Sequence, residues 1–272
     1  MNDMAVEYNR MRELFNTQMQ KDYCCSLEQL HSTDNEYTIR ELNEGRRRFK
    51  KDDAILKVLC INGKCIFSGQ EKILEECKEI FKGLNGAWMS QYKYLYWLDD
   101  LLLEHKYFLE DLHHYYLPLG VELLSEEDFK AIESEYEVKW YEGDEIEQFR
   151  GDKRFVHAYS FLPDAPDVLG VAVVKNGEIL GMAGASADSD VMWQIGIDVM
   201  PESKGQNLGP FITILLKREI LKRGKLPYYG TVESHIQSQK VAVKSGFLPY
   251  WAEINSARLP QEDGLVLDTE IC

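Results

Sequence analysis

The sequence lacks any long apolar run and any excess of proline or glycine. Its longest wholly apolar stretches, such as residues 171–174 and 214–216, are far shorter than the roughly 20 residues that a bilayer-spanning helix needs. With 8 Pro and 19 Gly in 272 residues, the composition excludes collagen-like and low-complexity chains. The chain also opens without the basic and apolar segments of a signal peptide. We therefore expect a globular cytoplasmic protein with no membrane partner.

Paired cysteine motifs are absent as well. None of the six cysteines forms a C-x-x-C pair, and no Cys and His cluster has the spacing of a metal site. Scattered thiols in a reducing compartment usually behave as small buried hydrophobes. The sequence therefore predicts free thiols and no metal ion. The cysteines are Cys24, Cys25, Cys60, Cys65, Cys77 and Cys272.

Positive charge is scarce, because 31 Lys and Arg stand against 46 Asp and Glu, a net charge of −15. Residues 151–272 hold 12 of those cations and 15 of those acids, so most of the excess acid lies earlier in the chain. Such a chain repels phosphate backbones, and no nucleic acid is expected as a partner. The acidity either steers a cationic amine toward a site or serves solubility alone. One basic run, interpreted as a solvated helix end, comprises Arg46, Arg47, Arg48, Lys50 and Lys51.

The first part of the chain mixes helix and strand signals. Apolar residues at helical spacing over residues 11–19 predict an opening helix, and Ser26 with Gln29 has the form of a capping box. Asn62-Gly63 between two apolar runs is a strong β-hairpin signal, since both residues tolerate a positive φ. The spacing over residues 73–81 then predicts another helix.

The Leu-rich and aromatic residues 88–117 follow a roughly helical pattern that is typical of core packing. The consecutive His113-His114 pair points to different faces of such a helix and is not interpreted as a metal site. Pro118 and the acidic residues 122–137 indicate a connecting helix and a domain boundary. We expect an acidic mixed α/β domain over residues 1–135 and a second domain over residues 136–272.

The second domain contains a strand, a glycine loop and a helix in succession. Asn176-Gly177 predicts another hairpin, residues 193–199 alternate as a third strand, and Pro201 ends it. Residues 204–209 then lead into a helix with Pro210 in its first turn. Such a loop can hold an anionic phosphate on unpaired backbone N–H groups, or it can be a purely structural turn. It has neither the P-loop nor the G-x-G-x-x-G spacing.

Further patterns surround the loop: a V-x-P strand end before it, a glycine at its end, and a later helix that leads to K-x-G-F. The residues that fit are Val199, Pro201, Gly209, Ser238, Lys244, Gly246 and Phe247. Over about residues 140–270 this order resembles the GNAT superfamily of acetyl-CoA-dependent N-acetyltransferases, in a bacterial branch with an extra N-terminal domain. The resemblance implies an α/β (α+β) fold whose mixed, mostly antiparallel sheet is flanked by helices.

The resemblance also implies a reaction, in which acetyl-CoA as cosubstrate gives its acetyl group to a primary amine of a small molecule or a protein. The amine must lose a proton before it attacks, and Asp198 and Glu233 are the candidate bases. Each can equally be a structural or dipole-favouring carboxylate. His235 is either a proton relay or a capping or core residue. The expected CoA-binding residues are Ile197, Val199, Lys204, Gly205, Gln206, Asn207, Leu208, Gly209, His235 and Ser238.

Departures from the family pattern, together with the absence of an evident base, keep a second hypothesis open. Lys204 replaces the usual Arg or Gln but retains a cation, and Asn207 replaces the first loop glycine while still tolerating a positive φ. Ala242 stands where many members carry a tyrosine that protonates the departing thiolate. The alternative is therefore a non-catalytic acyl-CoA-binding or regulatory module, and a third hypothesis is a structural interaction protein.

Overall fold

The computed structural model describes residues 2–48 and 53–260, with side chains from residue 6 onward. Within these ranges the helices are α1 (Asn2–Tyr23), α2 (Leu27–His31), α3 (Glu71–Ile80), α4 (Tyr92–Glu104), α5 (Glu126–Glu135), α6 (Leu208–Lys222) and α7 (Ile236–Lys244). The strands are β1 (Glu36–Ile39), β2 (Leu56–Ile61), β3 (Lys64–Gly69), β4 (Tyr107–Leu117), β5 (Glu137–Glu142), β6 (Asp167–Lys175), β7 (Glu178–Ser186), β8 (Met192–Val199), β9 (Leu226–Val232) and β10 (Leu248–Arg258). Short 3₁₀ turns cover Gly86–Trp88, Gly143–Phe149, Lys153–Phe155 and Pro201–Ser203.

The strands of the described residues join in one ten-stranded sheet in the order β1-β3-β2-β10-β4-β9-β8-β7-β6-β5. Within that part of the chain, β1 with β3 and β8 with β9 are the parallel pairs, and all other neighbours are antiparallel. Helices cover the sheet. The predicted fold class, a mixed and mostly antiparallel sheet flanked by helices, is therefore confirmed.

Local turn chemistry fixes several elements where the sequence predicts them. Asn62-Gly63 and Asn176-Gly177 adopt positive φ angles between β2 and β3 and between β6 and β7. The Ser26 hydroxyl accepts from the Gln29 amide, and the Gln29 side chain accepts from the Ser26 amide, which completes the capping box. These signals succeed because each depends on neighbouring residues alone.

The helical prediction for residues 88–117 is wrong in its second half. Helix α4 ends at Glu104, and Lys106 turns the chain with a φ of +63° into β4. Consequently His113 and His114 lie on a strand, where they face opposite sides of the sheet. Strand β4 forms because its partners β9 and β10 come from the far end of the sequence.

The interpretation of the basic run that begins at Arg46 as a solvated helix end is wrong at Arg47, which is buried. The Arg47 side chain is 1% exposed, pairs with Asp22 and Glu253, and lies in an irregular segment. Two buried carboxylates and the aromatic rings around the guanidinium explain why this cation is buried. Lys50, Lys51 and Cys272 lie outside the described residues; the other five cysteines are free thiols.

Two different layers cover the strands β6, β7 and β8. On one face, the apolar side of α6 packs with α7 on a core that contains Val171, Ala183 and Ile195. On the other face, the 3₁₀ turns over residues 143–155 and the segment after them pack on Ala172 and Met182. The functional candidates lie where these two layers meet the end of β8.

The sheet continues across the predicted domain boundary, which falls between α5 and β5. Strand β10 pairs with β2 and β4, so the last described strand lies among strands of the first 135 residues. The division into two domains stays a prediction. In the described part of the chain, no helix combines the length and apolar character that a membrane crossing demands.

Candidate functional site

The parallel pair β8 and β9 separates part-way along its length. The two strands pair from Met192 with Leu226 to Ile195 with Tyr229 and no further. Beyond that point, β8 continues beside β7 to Val199, and β9 continues beside β4 to Val232. We call the gap between residues 196–199 and 230–232 the wedge.

Backbone groups of β8 face the wedge. The Met200 amide donates to the Leu180 carbonyl on β7, and backbone groups alternate in direction along a strand. The N–H and C=O groups of Ile197 and Val199 therefore face away from β7, into the wedge. These two residues are among the predicted CoA-binding positions, and the wedge leaves their polar groups available to a ligand.

The loop between β8 and α6 lies next to the wedge. In residues 2–48 and 53–260, no oxygen accepts a hydrogen bond from the backbone amides of residues 205, 206, 207, 208 or 209. The loop ends at Asn207, which adopts a left-handed φ of 58° and precedes the 15-residue helix α6. Since the N-terminus of a helix carries partial positive charge, this run of amides suits an anion.

Side-chain contacts hold the loop in place. Lys244 Nζ on α7 donates to Asn207 Oδ1 at 3.0 Å, and the Tyr136 hydroxyl donates to Gln206 Oε1 at 2.8 Å. Lys204 is exposed, and Gly205 has a φ of +85° with open space around it. Asn207 thus adopts the kind of positive φ that asparagine tolerates better than most residues.

Leu208 and Gly209 are buried where α6 meets β8. A Cβ on Gly209 would lie 3.4–3.5 Å from the side chains of Val241, Ile197 and Val199. The side chains of Ile197 and Val199 therefore point toward α6. Because side chains alternate along a strand, Gly196 and Asp198 point to the opposite face of the sheet.

That opposite face carries a row of three glycines in register. Gly170 on β6 pairs with Gly184 on β7, which pairs with Gly196 on β8. A Cβ would lie 1.8 Å from the Tyr159 hydroxyl at Gly170, 2.0 Å from the Ala158 carbonyl oxygen at Gly184 and 1.8 Å from the His157 carbonyl oxygen at Gly196. Because these three positions lack side chains, they form a shallow channel, and the segment 157–159 packs directly against the backbone of the sheet there.

Asp198 anchors this segment. Its Oδ2 accepts from the backbone amides of His157 and Ala158, each at 2.9 Å, and its Oδ1 lies 2.7 Å from His157 Nδ1. The Asp198 side chain is 13% exposed, whereas the His157 side chain is 51% exposed. The carboxylate is thus occupied by three donors, while the imidazole keeps its Nε2 side accessible.

The hydrogen bond that the His157 ring donates to Asp198 raises the pKa of His157, and the negative charge of Asp198 adds to this effect while desolvation opposes it. An imidazole held at Nδ1 by a carboxylate carries its proton there when it is neutral. Its Nε2 lone pair can then accept a proton from a substrate.

The remaining predicted residues lie around the turn before α7. Glu233 and His235 are exposed, which excludes a core position for His235. His235 stands at the N-cap position of α7, but its side chain forms no cap hydrogen bond. The Ser238 hydroxyl lies 2.9 Å from the hydroxyl of Tyr229, a buried residue on β9. Burial raises the pKa of Tyr229 to about 12, although the bond to Ser238 lowers it.

His157 is the residue that sequence reasoning missed. It lies in no recognisable motif, and its partner Asp198 is 41 positions away. The sequence signal was Asp198 itself, a carboxylate on a strand whose other residues are uncharged. Among the described residues, no group of three or more His, Cys, Asp or Glu could hold a metal ion.

No protein-family model and no curated protein matches the chain. The chain is similar to a solved structure from Streptococcus suis described as a GCN5-related N-acetyltransferase-like protein, at 15% identity and a TM-score of 0.47, covering 93% of this chain and 99% of that one. It is also similar to an acetyltransferase from GNAT family of Colwellia psychrerythraea, at 11% identity and a TM-score of 0.41, covering 91% and 96%. A tandem GNAT protein from the clavulanic acid biosynthesis pathway gives 13% identity and a TM-score of 0.40, covering 60% and 59%.

Proposed function

We propose that this chain is an N-acetyltransferase of the GNAT superfamily that transfers an acetyl group from acetyl-CoA to a primary amine. The observation that carries the proposal is the wedge beside five successive amides without an acceptor among the described residues. The wedge suits the extended, amide-bearing arm of CoA, and the adjacent amides of residues 205–209 suit its pyrophosphate. The family patterns over residues 199–247 agree with this placement.

The pyrophosphate would lie against the amides of residues 205–209, with the Lys204 cation beside it. Pro210 has no N–H and contributes no donor there. The pantetheine arm would pair with the free backbone groups of Ile197 and Val199 in the manner of an added strand. Such a position brings the thioester to the wedge, on the face that α6 covers.

Transfer would proceed by direct attack in a ternary complex. The amine nitrogen attacks the thioester carbonyl, and a strand N–H of the wedge donates to the oxyanion that develops. The carbon–sulfur bond then breaks with its electron pair on sulfur. Ala242 cannot supply a proton to the thiolate, so solvent would supply it. The acceptor class is a primary amine of a small molecule or a protein.

Calorimetric titration with acetyl-CoA and with CoA tests the binding step, and amine-dependent release of the CoA thiol tests catalysis. Binding followed by thiol release with an amine supports the proposal. Binding with no release on any amine of a broad panel would favour the regulatory module instead. Absence of binding would reject both.

Charge reversal at Lys204 tests the position of the pyrophosphate. We expect Lys204→Glu to weaken CoA binding about 10-fold, because a like charge replaces an attractive one at an exposed site. Lys82→Glu makes the same charge change at an exposed residue after α3 and serves as the matched control. Equal losses in the two variants would contradict the placement.

A further inference from the structure

The proposed acetyl transfer needs a group that deprotonates the acceptor amine, and Asp198 is already occupied. Its two carboxylate oxygens accept from the His157 and Ala158 amides and from the His157 ring. Three of the roughly four acceptor positions of this carboxylate are therefore filled, and its side chain is only 13% exposed. The exposed side of the same hydrogen-bonded pair is the imidazole.

Resting on the proposed function, we infer that His157 is the catalytic base and that Asp198 is a positioning residue that orients its ring. The arrangement has the order of roles seen wherever a carboxylate holds a histidine for proton transfer: Asp198, then Nδ1, then an accessible Nε2. The reacting amine would approach Nε2.

The position of His157 relative to the wedge supports this inference. Its carbonyl oxygen lies directly over Gly196, the first residue of β8 that no longer pairs with β9. Asp198 lies between Ile197 and Val199, whose backbone groups face the wedge. His157 therefore borders the wedge on the face opposite α6, so the acceptor amine would reach the thioester from the face opposite the one that α6 covers.

The proton and electron balance closes without another reactant. An ammonium group loses one proton to Nε2, forming an Nε2–H bond, and the nitrogen lone pair then forms the bond to the carbonyl carbon. The carbon–sulfur bond breaks with its electron pair on sulfur. A second proton leaves the nitrogen as the amide forms and reaches the thiolate through solvent, and His157 returns its proton to solvent.

Among the described residues, Asp198 is the charged group that bonds the His157 ring, and the nearby charges Arg154 and Asp167 have partners of their own. On the 3₁₀ turn before His157, Arg154 is paired with Asp152 at 2.7 Å. On β6, Asp167 accepts from the Phe161 amide at 2.7 Å and from the Ser160 amide at 3.4 Å. The pKa of His157 is raised by Asp198, first through the hydrogen bond and then through charge.

Two substitutions separate a base from a structural residue. In His157→Asn, the amide NH₂ can still donate to Asp198 while no base remains. In Asp198→Asn, the amide oxygen can still accept from the backbone while its NH₂ meets Nδ1, which moves the imidazole proton to Nε2 and blocks that atom as an acceptor. His31→Asn, at an exposed histidine on α2, is the control.

The experiment follows thiol release from acetyl-CoA with spermidine, whose amines are protonated at pH 7, and with hydroxylamine, which is mostly neutral there. We expect His157→Asn to lose about 10²- to 10⁴-fold in kcat/KM with spermidine but less than 10-fold with hydroxylamine. Asp198→Asn should lose activity with spermidine as well. The ascending, acidic limb of its pH profile should move to lower pH, because Asp198 no longer raises the pKa of His157. His31→Asn should match the unmodified protein.

Equal losses on both amines, or no loss on spermidine, would overturn the assignment of the base while leaving the transferase function in place. An unmodified protein that binds acetyl-CoA but releases thiol with neither of these amines, nor with any amine of the broad panel, would instead reject the proposed function, and the inference with it. The calorimetric binding measurement distinguishes these two failures.

Discussion

Two aspartates of this molecule hold a distant loop in nearly the same way. Asp22 on α1 accepts from the backbone amide of Arg47 and from its side chain, as Asp198 on β8 does from His157. The pair of Asp22 and Arg47 is almost fully buried, with side-chain exposures of 2% and 1%. The pair of Asp198 and His157 opens to solvent, with exposures of 13% and 51%.

The buried pair contains an arginine, and the exposed pair contains a histidine. The Arg47 guanidinium also pairs with Glu253 and lies 5.4–5.9 Å from the ring centroids of Tyr228, Trp251 and Tyr115. An arginine remains charged at any pH a protein meets, so the closed pair stabilises the structure and does no proton chemistry. A histidine can titrate near neutrality. An aspartate that holds a loop therefore stabilises the structure in the pair of Asp22 and Arg47, and suits proton transfer in the pair of Asp198 and His157.

The largest effect should come from breaking the closed pair. Arg47→Ala leaves the buried carboxylates of Asp22 and Glu253 without their cation, and we expect it to lower the free energy of unfolding by about 3–5 kcal/mol. Urea denaturation measures this loss. The neighbouring Arg48 is 43% exposed and 3.8 Å from Asp164, so Arg48→Ala should cost about 0–1 kcal/mol. Similar losses in the two variants would contradict the comparison.

A smaller effect should come from disturbing the open pair through the glycine channel. In Gly196→Ala the new methyl group would meet the His157 carbonyl oxygen at 1.8 Å, so the segment 157–159 must move off β8. We expect a loss of about 1–3 kcal/mol in the free energy of unfolding, from overpacking. Gly181→Ala on β7 is the control, since its nearest neighbours lie 3.4 Å away. Thermal or urea denaturation measures the stability of both variants. Equal stabilities of Gly196→Ala and Gly181→Ala would show that the close contact between His157 and Gly196 does not restrict residue size at position 196.

The smallest effect concerns pH, because the open pair contains a histidine, which titrates near neutrality. The pKa of His157 is raised above its ordinary 6.5 by Asp198, so this pair stabilises the fold fully below pH 6.5 and loses its contribution as the pH rises through the folded-state pKa. The free energy of unfolding should therefore fall over this window. His157→Asn should flatten the slope in urea denaturation series between about pH 5.5 and pH 8.5. A slope that is the same in both proteins would assign it to other groups.

The sequence predicts the fold best where the signal is local. The two Asn-Gly turns and the capping box at Ser26 need only adjacent residues, and the structure contains them. The helical prediction fails over β4. The spacing of its leucines favours a helix, but the segment pairs instead with β9 and β10, which lie more than 100 residues later in the chain. Side-chain periodicity carries no information about a partner at that distance.

The candidate site also contains one part that local sequence predicts and one part that it does not. The glycine loop before α6 was predictable, because the residues that would hold a phosphate are consecutive. The pair of His157 and Asp198 was not, since it depends on the register of three strands. Gly170, Gly184 and Gly196 are ordinary glycines in the sequence, and they form a channel only once β6, β7 and β8 are aligned.

The position of β10 has a consequence for the order of folding. This strand is the last one described, yet it lies between β2 and β4 near the middle of the sheet. Until residues 248–258 have been synthesised, β2 and β4 each present an edge with unpaired backbone groups, and such edges promote association between chains. The most distant pairings also close the largest loops, which slows folding. A ribosome-bound chain that stops before β10 would therefore be the form of this protein most dependent on chaperones.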